Sequence, residues 1–148
     1  MNEGSQTMRR IVVKREKHPF ALLVDYWCVL DFDVDKLPPP CPGVSDCIDC
    51  DVHRCLATNR QRQLVVQSRD EAGNLETIET IPAVAIGNGK TVEIEVDCQE
   101  HELYVLFETG LVISNKVTIP AGSSDVSLSV KTDGGFRKEP NIAVRRVD

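Results

Sequence analysis

A run of alternating apolar and polar residues between Ala83 and Phe107 places the strongest limit on the fold of this chain. From Val92 to Val96, and again from Leu103 to Phe107, every second residue is apolar. This period of two is typical of a half-buried β-strand, because successive side chains of a strand point to opposite faces. The dipeptide Asn88-Gly89 near the start of the run is typical of a type I′ turn, which joins antiparallel strands. The region therefore predicts antiparallel β-structure.

Similar short segments, separated by turn residues, recur along the chain. The clearest are Arg9–Glu16, Leu64–Gln67, Leu75–Ile81, Leu111–Ile119 and Ser124–Thr132. Phe20–Asp31 differs because it is apolar on both faces, which favours a central strand covered on both sides, although a buried helix has the same pattern. We count seven to nine short strands and no long amphipathic helix. The predicted fold is all-β, an antiparallel β-sandwich, with a small barrel as the alternative.

The 148 residues suit one domain, and its core is expected to consist mostly of Val, Ile and Leu because aromatic residues make up only 5% of the chain. We predict a disordered N-terminus over 1–8, a sandwich over 9–133, and a C-terminal tail or edge strand over 134–148. Three consecutive prolines, Pro38 to Pro40, cannot continue a strand. We therefore interpret 31–60 as a cysteine-rich loop inserted between strands, with a helical turn around Asp51–Thr58.

The net charge of −6 argues against nucleic acid as a partner, and no stretch approaches the length of a membrane span. We therefore expect a protein partner, and the oligomeric state is left open. The opening residues contain no apolar h-region of a signal peptide, which predicts a cytoplasmic protein. A secreted protein from which a leader had been removed would have the same pattern. The basic residues clustered near the two ends are interpreted as solvated strand faces and a tail. They are Arg9, Arg10, Lys14, Arg15, Lys17, Arg137, Lys138, Arg145 and Arg146.

The inserted loop carries four cysteines with the spacing C-x5-C-x2-C-x4-C. The candidate metal ligands are Cys41, Cys47, Cys50 and Cys55, with His53 as an alternative ligand. Four soft ligands so close together can form a closed tetrahedral zinc site that anchors a loop with little core of its own. Two disulfides and free thiols are the other interpretations, and the lack of a signal peptide favours thiolates and metal.

Catalytic signatures are sparse. The sequence has no Gly-x-Ser-x-Gly, no glycine-rich phosphate loop and no His-Glu-x-x-His. A small hydrolase would need His101 to meet Glu108 or Asp97 in a cleft. The aspartates of DFDVDK resemble the opening of a calcium loop, but Lys36 stands at the sixth position where glycine is required, and Pro42 at the twelfth. We interpret these aspartates as the solvent face of a strand.

The order of these segments resembles small bacterial β-sandwich domains of the PEGA-like, prealbumin-type kind. The similarity rests on RRIVVKRE, FALLVDYWCVLD, IGNGKTVEIEVD, CQEHELYV and IPAGSSDVSLSV, which cover Arg9–Asp31 and Ala83–Lys131. The two glycines usual before the histidine of such domains are replaced by Cys98-Gln99-Glu100, and the cysteine-rich insertion has no counterpart. The resemblance implies a binding or accessory module and transfers no site residue.

The sequence thus predicts a non-catalytic binding or accessory module with a loop clamped by metal or disulfides. The alternative is a thiol redox or metal-handling protein that uses Cys47 and Cys50. Because Asp46, Asp49 and Asp51 surround this pair, their negative charge would raise the thiol pKa values, which disfavours the redox function.

Overall fold

The computed structural model describes residues 8–18, 25–38, 54–69, 71–72, 74–107, 112–134 and 141–147, and this part of the chain is all-β. It contains eleven strands, two more than the upper bound of the prediction, and one 3-10 helix. In chain order the elements are β1 (Met8–Arg15), β2 (Tyr26–Leu30), the 3-10 helix (Val34–Lys36), β3 (Arg54–Thr58), β4 (Leu64–Arg69), β5 (Leu75–Thr80), β6 (Ala83–Ile86), β7 (Thr91–Asp97), β8 (His101–Phe107), β9 (Val117–Ile119), β10 (Val126–Asp133) and β11 (Asn141–Arg146).

The strands form three sheets. Sheet A has the order β11-β10-β1-β7, sheet B has the order β6-β2-β8-β9, and sheet C is the meander β3-β4-β5. Neighbouring strands pair antiparallel, except that β1 and β10 run parallel. The C-terminal segment is therefore not only a tail, because β11 forms an edge strand of sheet A.

Sheets A and B pack face to face as a β-sandwich. Their shared core takes every second residue of the strands on each side, as the alternating sequence predicts. The buried members from sheet A are Ile11, Val13, Ile94, Val96, Val126, Leu128, Val130, Ile142 and Val144, and those from sheet B are Tyr26, Cys28, Ile86, Leu103, Val105 and Ile119. The prediction that Val126, Leu128 and Val130 point inward is confirmed.

A second core forms on the opposite face of sheet B, where sheet C covers it. Sheet B contributes Trp27, Val29, Tyr104 and Leu106, and Leu56, Leu64 and Val66 come from sheet C. Sheet B is thus the middle of three layers. This explains why β2 is apolar on both faces, and the prediction of a central strand is confirmed for Tyr26–Leu30, whereas 20–24 lie outside the described residues.

The Asn88-Gly89 turn differs from the prediction. Lys90 N donates to Gly87 O at 3.1 Å, which closes a tight turn. Gly89 has φ +72°, whereas Asn88 is not among the described residues with positive φ, so the type I′ prediction is wrong. The reason is that the turn joins β6 of sheet B to β7 of sheet A and closes no hairpin. The Asn88 side chain bonds both backbone groups of His18, at 2.9 and 3.0 Å, which holds the segment that follows β1 against this turn.

Part of the predicted insertion is regular structure. The prediction of a helical turn around Asp51–Thr58 is wrong, because Arg54–Thr58 is strand β3 and pairs with β4. The aspartates of DFDVDK do not alternate on a strand either. Asp33 caps the 3-10 helix through its side chain, which accepts from Asp35 N at 3.0 Å. The predicted disorder of 1–8 is wrong for Met8, which begins β1, and stays a prediction for 1–7, which lie outside the described residues.

Two arginines of the N-terminal basic cluster are buried. Arg9 is 4% exposed and Arg15 is 0% exposed, because both lie on the inner face of β1 together with Ile11 and Val13. The interpretation of these two as solvated residues is wrong. Arg15 stacks on the ring of Tyr26, with 3.6 Å between the guanidinium carbon and the ring centre, and its Nη1 donates to Ile86 O at 2.9 Å. Burial lowers the pKa of this guanidinium.

Candidate functional site

Of the predicted metal ligands, only Cys55 lies within the described residues. It is 3% exposed and lies on β3, opposite Gln67 of β4. Cys41, Cys47, Cys50 and His53 fall outside the described residues, so the zinc site and its alternatives stay predictions. Where the structure describes the chain, no group of three His, Cys, Asp or Glu side chains is arranged to hold a metal ion.

Cys28 is also described. It is fully buried in the sandwich core, and this burial raises the pKa of its thiol to about 12. The interpretation of Cys28 as a small core hydrophobe is therefore confirmed.

Replacing both Cys47 and Cys50 with serine is expected to leave the sandwich folded, because the buried residues described for its core lie on strands of sheets A and B that pair with one another. The loop should become more susceptible to proteolysis, while amide exchange across β7 and β8 stays protected. Loss of protection in those two strands would contradict this expectation. Elemental analysis and a thiol count with and without reductant then separate the interpretations: bound zinc indicates a clamped loop, and a reactive low-pKa pair indicates the redox alternative.

A histidine held between two aspartates forms the most distinctive polar group of the described residues. His101 Nδ1 lies 2.6 Å from Asp31 Oδ2, and His101 Nε2 lies 2.8 Å from Asp97 Oδ1. His101 begins β8, Asp97 ends β7, and Asp31 follows β2. The cluster thus joins a strand end of sheet A to two strands of sheet B. It also brings together His101 and Asp97, the pair that the hydrolase interpretation requires, whereas Glu108 falls outside the described residues.

Local backbone geometry places each member of this cluster. Asp31 adopts φ +55°, a left-handed conformation that aspartate tolerates better than most residues. Its backbone N donates to Glu102 O, and its Oδ1 accepts from Glu102 N, both at 2.8 Å. Asp97 Oδ1 accepts from Gln99 N at 3.0 Å, which shapes the turn between β7 and β8.

The two aspartates control the protonation of the histidine. Burial by itself lowers the pKa of His101, but the hydrogen bonds and charges of Asp31 and Asp97 outweigh this effect, so the pKa is raised. The pKa of Asp97 is lowered, first by the hydrogen bond from Gln99 N and then by His101. The arrangement therefore favours an imidazolium between two carboxylates over a wider pH range than an isolated histidine would allow.

Two neighbouring cavities of about 500 and 530 Å³ open beside Asp31 and share Phe32 and Asp33 in their lining. We call their combined surface the acidic face. Its carboxylates are Asp31, Asp33, Asp35, Glu79, Glu100 and Glu102, and its ammonium groups are Lys36 and Lys116. Lys116 lies 3.4 Å from Glu102, and both side chains are about half exposed. Carboxylates outnumber cations here, so the surface attracts positively charged groups.

The buried phenol of Tyr104 interacts electrostatically with Asp33, one of the carboxylates of this face. Tyr104 is 2% exposed, and its hydroxyl has no hydrogen-bond partner among the described residues. Burial raises the pKa of the Tyr104 phenol to about 12, and the charge of Asp33 adds to the increase. A buried hydroxyl without a partner is uncommon, because it loses its hydrogen bonds to water without replacement.

Compared with protein-family models and with curated proteins, the chain finds no match in either. The resemblance to PEGA-like domains therefore stays a prediction. In the described part of the chain, no helix is long and apolar enough to cross a bilayer.

Proposed function

We propose that this protein is a non-catalytic binding module whose partner is a protein that presents a basic segment. One observation supports the non-catalytic part more than any other: both ring nitrogens of His101 already bond carboxylates, at 2.6 and 2.8 Å. A general base needs a ring nitrogen directed at the proton that it removes. Both ring nitrogens of His101 instead contact the carboxylates of Asp31 and Asp97, and these contacts join strand ends. This arrangement favours a structural role.

The acidic face supports the basic nature of the partner. Lysine and arginine side chains would find carboxylates contributed by several elements, since Asp33 precedes the 3-10 helix, Glu79 lies on β5 and Glu100 precedes β8. Electrostatic complementarity of this kind raises association rates and discriminates against acidic partners.

A pair of synthetic peptides tests the proposal. A lysine- and serine-containing peptide of about ten residues is expected to bind saturably, with chemical-shift changes centred on the acidic face, whereas its glutamate- and serine-containing counterpart is not. Replacing Glu100 with glutamine should weaken binding several-fold. Glu95→Gln is the matched control, because Glu95 is exposed on β7 and does not line either cavity.

Two outcomes would count against the proposal. Equal weakening by Glu95→Gln and Glu100→Gln would mean that only overall charge matters, and the acidic face would lose its role. Hydrolysis of an ester, phosphoester or glycoside substrate that disappears in His101→Gln, while the variant stays folded, would establish an enzyme instead.

A further inference from the structure

A smaller cavity of about 230 Å³ lies where the loop after β9 meets the start of β1 and the end of β11. Two arginines, Arg9 and Arg146, line it together with the loop Gly122–Asp125. From this arrangement we propose a binding site for a tetrahedral oxyanion, the phosphate group of either inorganic phosphate or a phosphate monoester. The proposal is independent of the acidic face, since the two surfaces share no lining residue.

Arg9 is the central residue of the proposed site. Its side chain points into the end of the sandwich and is 4% exposed. Its Nη2 donates to Gln99 O at 3.0 Å and to Pro120 O at 2.6 Å, while its Nε is buried with no partner among the described residues. Within that part of the chain, no carboxylate forms an ion pair with it. Buried charges are normally paired, so this guanidinium presents an uncompensated positive charge to the cavity that it lines.

The loop leaves room for a ligand beside Arg9. A β-carbon at position 122 would lie 3.4 Å from Arg9 Nη1, so the glycine keeps the space next to the guanidinium open. Gly122 N donates to Cys98 O at 3.0 Å, which holds the loop against the turn between β7 and β8. Ser123 and Ser124 follow with exposed side chains and supply hydroxyl donors. Guanidinium and hydroxyl donors around a small cavity suit the several acceptor oxygens of a phosphate group.

Two carboxylates near the site act against an anion. Asp125 lines the cavity, and its Oδ1 accepts from Arg10 N at 2.9 Å. Asp97 lies close enough to interact with the charge of Arg9, although it also bonds His101. The opposing charge of Asp125 provides a sharp test, because asparagine at this position retains the acceptor for Arg10 N and removes only the charge.

Titration of the whole protein with inorganic phosphate and with phenyl phosphate, followed by calorimetry and by amide chemical shifts, tests the proposal. Saturable binding in the millimolar range or tighter is expected, with shifts at Gly122 to Asp125. Arg146→Gln should weaken binding about tenfold, and Asp125→Asn should tighten it. Arg10→Gln is the control for Arg146→Gln. It also removes one positive charge, but Arg10 lies on the outer face of β1, next to Arg9, and does not line the cavity. These variants alter exposed side chains, so folding is expected to be preserved.

Absence of saturable binding by both probes overturns the proposal. So does equal weakening by Arg10→Gln and Arg146→Gln, or a failure of Asp125→Asn to tighten binding, since either result reduces the effect to overall charge. Tighter binding of phenyl phosphate than of phosphate identifies a monoester as the ligand class, and the reverse order identifies the free anion. None of these results bears on the basic-peptide experiment, so the two proposals fail separately.

Discussion

Replacing Trp27 with alanine is expected to lower the free energy of unfolding by about 3–5 kcal/mol. Trp27 is 2% exposed and belongs to the core between sheets B and C. It pairs with Ala85 of β6 on one side and with Leu106 of β8 on the other. Removing the indole therefore leaves a cavity in the layer that attaches sheet C to the sandwich, and chemical denaturation measures the loss.

The same variant tests whether sheet C depends on this contact. Amide exchange should accelerate more in β4 of sheet C than in β1 of sheet A, because β4 faces the new cavity directly and β1 packs on the other side of sheet B. Ile78→Ala is the control, since Ile78 is 49% exposed on the edge strand β5 and should change stability by less than about 0.5 kcal/mol. A cost for Trp27→Ala as small as the control's would be incompatible with three packed layers.

His101→Gln is expected to lower the free energy of unfolding by about 1.5–3 kcal/mol near pH 6, because the hydrogen bonds that it weakens involve charged groups. The raised pKa of His101 means that its stabilising effect is fully present below its ordinary value of 6.5 and is lost as the pH rises through the higher value of the folded protein. The wild-type protein should therefore lose stability over this range above pH 6.5. In His101→Gln this loss should disappear.

The contribution of Asp97 to protein stability has the opposite pH dependence, and it changes at low pH. Its pKa is lowered, so its contribution is present above the ordinary value of 3.8 and is lost as the pH falls through the lower value of the folded protein. Urea denaturation across both pH ranges separates the two effects.

His18→Gln is the control for His101→Gln, because the backbone of His18 forms the contact with Asn88. A wild-type stability that stays constant between pH 6 and 9 would show that the Asp31–His101–Asp97 cluster does not bias protonation as inferred.

Much of the secondary structure could be predicted from local patterns. Alternation in Val126–Val130 identified β10 and its inward face, and the apolar residues on both sides of β2 identified a central strand. Strand β3 was missed, because its five residues lie within a segment dominated by cysteines and prolines. The turn type at Asn88-Gly89 was also missed, since the choice between a hairpin and a connection between sheets depends on packing rather than on the dipeptide.

The residues of the candidate sites are harder to predict from the sequence than the strands are. The sequence indicates that His101 and Asp97 would have to meet, but Asp31 is 70 residues away from His101 and carries no local signal of its role. Arg9 and Arg15 look like surface charges in the sequence, since three further basic residues, Arg10, Lys14 and Lys17, lie near them. Period two already places both on the same face of β1 as Ile11 and Val13, and that regularity could have revealed their burial.

Local side-chain patterns establish that the chain is all-β and which face of most strands is apolar, because the alternation of side chains along a strand follows from backbone geometry over a few residues. The three-dimensional packing determines that sheet B is the middle layer, that β1 runs parallel to β10, and that a histidine, two aspartates and a buried arginine lie at strand ends. These features depend on contacts between distant segments. Their geometry is set by how three sheets pack together, and no short stretch of sequence encodes it.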